Sequence, residues 1–588
     1  MEPILGVDLG TTNSEVCAIV GGQPRVLGAP GERILPSFVG LSPEGKLLVG
    51  PEAKNQYVLY PERTVKSIKR KMGTGERVRL GDEEYTPQEI SALILKKLKA
   101  LAEAELGVAV GRAVITVPAY FSDAQRQATR DAGELAGLEV VRIINEPTAA
   151  ALAYTAGSTA RENVLVYDLG GGTFDVSVVR IEEGVVEVLA SHGNNHLGGD
   201  DFDAKILAWL EERFQEERDF DPSADPRVRA RLLRAAEAAK IRLSEAPFAR
   251  VQEEYLAEVD GLPVHLDVEL GRRDFEEMIR PYVDETLAAI HTALDGAGLL
   301  SGQIDRVLLV GGATRTPLIA ETIRQTYGLD PHSEVDPDLC VALGAGVQAG
   351  MIGGERVGPV LVDVTPYTFG TSVLADLDGE LYPFVYHPLI PRNTAIPVSR
   401  SEVFYTAADF QEVVEVNVYQ GENRDAVENI RVGQFLVEGL SRAPAGNEIV
   451  LRFDLTIDGI LKVTAVEKRT GKQKHITIES ALSRFEAEEI GAAKERLAGL
   501  WEEEEGEPAR PGEPAGPAAA GDAEERHETV RARAVMEKAR GMMAEIPEDD
   551  VDTVVGLLER IEEALASGDR ETARQATDEL SDILFYLE

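Results

Sequence analysis

The feature that most constrains this chain is a repeat. An apolar run from Ile4 enters Asp8-Leu-Gly-Thr-Thr-Asn13 and leaves through a second apolar run to Val20. Val164 to Ile181 does the same around Asp168-Leu-Gly-Gly-Gly-Thr-Phe-Asp175. Read as strand, tight turn and strand, this is one hairpin used twice, expected to face itself across a cleft. Duplication alone can be purely structural. An aspartate leading each turn and a Gly-Thr step within it point instead to a shared ligand.

A phosphate chain needs donors that come close and a divalent cation that offsets its charge. Gly10, Thr11 and Thr12 supply backbone N–H groups and hydroxyls from one turn; Gly170, Gly171, Gly172 and Thr173 do so from the other, glycine permitting close approach. Asp8, Asp168 and Asp175 flank these strands, and carboxylates so placed suit magnesium, a hard ion that prefers oxygen and keeps several waters. A third element fits the same ligand. The apolar strand Val307 to Val310 runs into Gly311-Gly-Ala-Thr-Arg315, where Gly311 and Gly312 let backbone approach a nucleoside and Arg315 can stack on a base. Taken alone, that segment reads equally as a strand-to-helix turn with a surface arginine.

The rest of the chain sets the context. Its 588 residues suggest about four folding units at roughly 150 residues each. Residues 1–356 alternate strand-like and helix-like segments, an α/β pattern. Residues 357–366 form a connector holding Val360-Leu361-Val362-Asp363, three consecutive aliphatics where linkers are normally polar. Residues 367–480 carry strand signals only: Ile449, Leu451, Phe453, Leu455 and Ile457 alternate with Val450, Arg452, Asp454 and Thr456, and Asp458-Gly459 turns the chain into Leu461, Val463 and Ala465. Val414, Val416 and Val418 alternate likewise. From 481 to 588 the period is helical, with a capping box at Ser483 and Glu486 and a stripe through Ile490, Ala493, Leu497 and Leu500. A Pro/Gly/Ala-rich stretch, 502–523, interrupts this part and reads as a solvated linker. Further helical stripes follow, Val551, Val554, Leu558, Ile561 and Leu565, then Ala576, Leu580, Ile583, Leu584 and Leu587.

A formal net charge of −42 repels polyphosphate, so wrapping nucleic acid is excluded. Two cysteines, Cys17 and Cys340, both in apolar segments, rule out a disulfide scaffold and read as small apolar filler in a reducing compartment. No signal-like leader and no run of 18 apolar residues is found, so a cytoplasmic protein without membrane contact is expected.

Taken together the motifs resemble one family. Gly6-Val-Asp-Leu-Gly-Thr-Thr-Asn-Ser14, Val117-Pro-Ala-Tyr-Phe121, Ile144-Asn-Glu-Pro-Thr-Ala-Ala-Ala-Leu-Ala-Tyr154, Asp168 to Asp175, Leu197-Gly-Gly-Asp-Asp-Phe-Asp203 and Val310-Gly-Gly-Ala-Thr-Arg315 look like the motifs of bacterial DnaK-type seventy-kilodalton heat-shock chaperones. They run in order from residue 4 to about 480. The resemblance implies a duplicated, actin-like ATPase domain, an antiparallel β-sandwich that binds peptide, and an α-helical lid. Carried over by position, Asp8, Glu146, Asp168 and Asp175 would surround hydrated Mg2+. Thr11, Thr12 and Thr173 would meet phosphates, Lys69 would orient the attacking water, and Gly198 and Gly199 would close on the nucleotide. Glu237, Lys240 and Ser244 would contact adenosine, with Arg315 across the base; read without the resemblance, Glu237 and Lys240 are an i,i+3 ion pair. ATP and ADP with Mg2+, and K+ beside the phosphates, are the implied cofactors.

The sandwich would bind extended, apolar segments of unfolded client polypeptides in a channel of Phe404, Val414 and Val416 under an arch of Leu374 and Ala407, although each of these also suits an ordinary core. Val360 to Asp363 would couple the two activities by docking as an added strand. A J-domain co-chaperone, on a surface including Arg142, and a nucleotide exchange factor of the GrpE type are the implied partners. Residues 73–86 are shorter than usual, Thr371 replaces an aliphatic residue, the lid is interrupted and the acidic tail of eukaryotic relatives is missing. These departures suggest a specialised paralogue. Two other readings remain open here: an actin-fold sugar kinase, and a nucleotide-binding scaffold without turnover.

Overall fold

Two sheets built to the same plan dominate the first 364 residues. In one, Glu139–Asn145, Arg112–Val117 and Ile4–Leu9 run parallel, then Asn13–Val20 and Gln23–Val26 follow antiparallel. In the other, Pro331–His332, Arg306–Val310 and Glu162–Leu169 run parallel, followed antiparallel by Phe174–Glu182 and Val185–Asn194. The computed structural model describes residues 3–477 apart from 30, 156–160, 183, 219–220, 260–261, 333–335, 356–357 and 472, together with 487–505 and scattered positions between 556 and 576.

The strands that lead each hairpin are buried on both faces, which is why Ile4–Val7 and Val164–Tyr167 read as apolar runs up to the aspartates, Asp8 and Asp168. Glu146–Thr155 and Cys340–Ile352 pack together against these strands. Their Ala/Gly-rich sequences make that possible: a Cβ on Gly346 would overlap the Cys17 side chain, and one on Gly6 would overlap the backbone of Gly346. Cys17 and Cys340 are free, buried thiols, and burial pushes Cys17 up to about 12. Both behave as core atoms.

Val360–Val364 is a strand of the second sheet. It runs parallel to Val185–Asn194, pairing Val360, Leu361 and Val362 with Val185, Val186 and Glu187, and on its other side pairs Asp363 and Val364 with Ile396 and Ala395. Beyond it, two four-stranded antiparallel sheets share one core. Val418, Ile390 and Phe435 come from one sheet, Phe453, Leu461 and Val463 from the other. The alternating strand ends at Leu455. Ile457, expected to continue it, lies in the turn and is exposed, because Thr456 N–H already bonds across the turn to Ile460 O at 2.9 Å.

The turn that follows touches the first domain's residues. Asp458 accepts from Arg130 at 2.5 Å and from Ile143 N–H at 3.0 Å, and Leu461 N–H donates to Asp123 at 3.0 Å. Ala487–Glu505 is a helix whose Ala493 and Leu497 bury into the core of the first sheet, with Trp501 over Lys96 and Arg496 paired to Glu89. The helix includes Glu502–Glu505, which composition assigned to the linker; a run of good helix formers extends the last turn. The capping box at Ser483 and the stretch 506–523 lie outside the described residues. Met1–Gly506 form one compact unit and Glu507–Glu588 another. In the second, Leu557, Leu558, Ile561 and Ala576 are buried helical positions, and the remainder of the two predicted stripes lies outside the described residues.

Candidate functional site

The two hairpin turns meet over a cavity of about 350 Å³. They touch closely enough that a Cβ on Gly171 would fall on the Thr12 hydroxyl. Glycine is required there by the neighbour, not by the turn. Asp8, Gly10, Thr11, Thr12, Lys69, Glu146, Asp168, Gly170, Gly171, Thr173 and Gly199 line the cavity, as do Glu237, Lys240, Gly311, Gly312 and Arg315. Asp175, Gly172, Gly198 and Ser244 do not. Asp175 sits behind the turn, Gly172 packs on Thr11 and Arg70, and Gly198 packs on the backbone of Gly171. Ser244 returns its hydroxyl to Lys240 O at 3.3 Å, within its own helix.

The floor, and the layer of Asp175 behind it, is a set of buried carboxylates. Thr116 donates to Asp8 at 2.7 Å, Tyr120 N–H donates to Asp175 at 3.0 Å, and Lys69 pairs with Glu146. Burial lifts every one of them. Asp8 is raised although Lys69 opposes the shift, Glu146 is raised in the same way, and Asp175 is pushed up to about 7. Asp168 is held well above the usual range by burial and by Glu146, Asp175 and Asp8, and its Oδ2 has no partner. Glu15 is lifted well up too, by burial and then by Asp8 and Asp338.

Like charges crowded into a dry cleft call for a cation, and the orphaned Asp168 oxygen offers it a ligand. Among the described residues no three His, Cys, Asp or Glu side chains converge closely enough to hold an ion alone. A hydrated magnesium, with waters and phosphate oxygens completing its shell, fits that spacing.

At the other end of the cavity Glu237 and Lys240 do not pair with each other. Glu237 reaches Lys54 across the cleft at 3.1 Å, and Lys240 pairs with Asp203 at 2.9 Å and donates to Gly199 O at 3.2 Å. Arg315 is half exposed, 2.7 Å from Asp338. Sequence reasoning missed Asn13, Glu15, Ile241 and Asp338 in the lining. Glu15 carried a signal: a carboxylate inside an apolar strand.

A second cavity, about 490 Å³, opens between the two antiparallel sheets. Leu374, Phe404, Ala407, Val414 and Val416 all line it, with Ile449 and Leu451 below. Thr371 lines it as well, its hydroxyl bonded to Asn417 O at 2.7 Å. Arg142 lies in the seam near Asp458 and Asp363, partly buried, with its Nε unpartnered.

No helix among the described residues is long and apolar enough to cross a membrane. The family model described as Hsp70 protein matches residues 4–587. Members of that family are ATP-binding chaperones of unfolded polypeptides. They hydrolyse ATP with Mg2+ and work with J-domain and nucleotide-exchange co-chaperones. The match covers essentially the whole length, and this chain belongs to the Hsp70 family.

Proposed function

We propose that the first cavity is a slow ATPase site of actin-like construction, that the second binds extended apolar peptide segments, with the lid helix Ala487–Glu505 here withdrawn from it onto the first sheet, and that Val360–Asp363 couples them. One observation carries the coupling. The strand Val360–Val364 extends the very sheet whose hairpin bears Asp168 and Asp175, and its far side pairs with Ala395–Ile396 at the start of the sandwich.

Magnesium held through water by Asp8, Glu146, Asp168 and Asp175 would offset phosphate charge. Thr11, Thr12 and Thr173 would donate to phosphate oxygens, with Gly198 and Gly199 giving the backbone room beside them. Lys69, buried and charge-paired with Glu146, would orient the attacking water and stabilise charge developing on the terminal phosphoryl group. Glu237, Lys240 and Arg315 would hold adenosine. Ser244, whose hydroxyl here returns to Lys240 O, would join them by turning to the nucleoside. With magnesium, one lysine and no dedicated base, hydrolysis would be slow, which suits a timer, and potassium beside the phosphates completes the reading. A J-domain protein acting near Arg142 and a GrpE-type exchange factor would set the rates.

The test is ATP turnover with and without an aliphatic-rich peptide. Several-fold stimulation supports both sites and their coupling. Turnover indifferent to peptide, with peptide bound, would leave two uncoupled domains.

A further inference from the structure

The peptide cavity is not uniformly apolar. His387 belongs to one sheet and Glu402 to the other, and His387 Nε2 lies 2.8 Å from Glu402 Oε2, so the pair spans the opening between them. The imidazole also meets the Phe404 ring edge-on, with centroids 5.5 Å apart. Glu402 alternates in register with Phe404 on the strand Val398–Tyr405, so both look toward Leu451 and Ile449. Glu415 also borders the cavity, but it alternates with Val414 and Val416 and its carboxylate accepts from Gln434 and Asn417 on the other face of the strand, so Glu402 is the carboxylate that faces the space; no lysine or arginine lines it. The charge that faces this apolar space is therefore the Glu402 carboxylate, with His387 as its one neutralising neighbour.

Resting on the peptide-binding reading above, we propose that this pocket selects a lysine or arginine as the central residue of its peptide. Such a side chain lays an apolar stem along Phe404, Val414 and Val416 and carries its cationic head to Glu402. An aliphatic residue fills only the stem's share of the space. A glutamate brings a second carboxylate beside Glu402 and is refused. His387 competes with the incoming cation for Glu402, so it tempers the selection.

The test uses one fluorescein-labelled host peptide, alanine and serine around a single central residue that is leucine, norleucine, lysine, arginine or glutamate. Binding to the full chain is read by anisotropy. Lysine is expected to bind more tightly than norleucine, its uncharged isostere, with glutamate weakest and the lysine advantage shrinking as salt is added. Glu402→Gln should cut the lysine-over-norleucine ratio about three- to fivefold, the scale of a half-exposed ion pair, and leave norleucine binding unchanged. His387→Gln should raise that ratio. If Glu402→Gln also weakens norleucine, the sign of the His387→Gln effect decides. Norleucine binding as tightly as lysine in the wild type overturns the selection and leaves the peptide site standing. Failure of every peptide to bind, leucine included, overturns both.

Discussion

The Tyr367 hydroxyl donates to the Tyr120 carbonyl at 2.6 Å, and the N–H of the same Tyr120 donates to Asp175 at 3.0 Å. One residue thus joins the carboxylate floor of the nucleotide cleft to the first residues after the connecting strand. The two rings lie 4.5 Å apart, and Asn195 donates to the same carbonyl at 2.7 Å. Tyr367→Phe keeps the ring contact and removes only the hydroxyl. A buried hydrogen bond is worth about 1 kcal/mol, roughly a fivefold change in an equilibrium. Peptide stimulation of ATP turnover should fall by about that factor, while basal turnover and peptide affinity stay near wild type. An unchanged stimulation ratio would show that the bond transmits nothing.

Thr173→Ala should separate binding from turnover. The turn it ends is held by main chain, Gly170 N–H to Thr173 O at 3.1 Å, so losing the side chain leaves the turn in place. Thr173 is 6% exposed and lines the cavity, and its hydroxyl is the polar group the substitution removes. ATP affinity is expected within about twofold of wild type, and single-turnover hydrolysis slower by about tenfold or more, as for loss of a donor to developing charge. Hydrolysis at the wild-type rate would remove Thr173 from the reacting end.

How much of this was legible depends on the range of the forces involved. The hairpin repeat could be read because its signals are local: apolar strands, an aspartate at each turn, glycines where backbones cross. The alternating sandwich strands were legible for the same reason, up to Leu455, where a turn bond overrode the apolar pattern at Ile457. Glu237 and Lys240 show the limit. Their spacing suggests a local pair, yet each finds a partner far along the chain, Lys54 and Asp203. The seam formed by Asp458, Arg130, Ile143, Asp123 and Leu461 was invisible for that reason too. So was the His387–Glu402 pair, two unremarkable polar residues until two sheets bring them together.

Stability of the sandwich should turn on Glu467 at low pH. This side chain is 0% exposed and accepts from Ser441 N–H at 2.9 Å, Ser441 Oγ at 2.6 Å, Asn447 at 2.6 Å and Thr470. Burial alone would raise its carboxyl, but the bonds from Ser441, Thr470 and Asn447 outweigh it and bring the group down from 4.5 to about 2. A depressed carboxyl contributes stability that is complete above the unfolded value and is lost as pH falls through the folded one. Hydrogen exchange in the strands Glu448–Leu455 and Leu461–Glu467 should therefore accelerate between pH 4.5 and about 2. Glu467→Gln should flatten that dependence and cost about 1–3 kcal/mol at neutral pH, the range for a buried group left with poor partners. Identical pH profiles for the two proteins would contradict this.

The strand Val360–Val364 should be the switch and not a tether. Val360 N–H bonds Gly184 O at 2.8 Å, Leu361 packs against the core shared by the second sheet and its helices, and Asp363 accepts from Asn145 at 2.9 Å and Thr148 at 3.3 Å. Yet Val360 remains 59% exposed, and Leu361 and Val362 are only partly covered. Such a strand is held by a modest margin. Full burial of an aliphatic side chain is worth roughly 1.5–3 kcal/mol, an upper bound for these two. About 5.5 kcal/mol of differential binding carries a two-state equilibrium from 1:99 to 99:1. A nucleotide that tightens or loosens this sheet edge therefore needs to supply only a few kcal/mol to dock or free the strand. Replacing Leu361 and Val362 by Asp puts two charges where apolar side chains meet the sheet and should leave the strand undocked with any nucleotide. Nucleotide affinity and peptide affinity measured separately should stay near wild type, because neither cavity is lined by these residues. Peptide-stimulated turnover and ATP-triggered peptide release should both disappear. If either coupling survives at wild-type strength, the strand only connects, and the signal runs through the Asp458 and Tyr367 contacts instead.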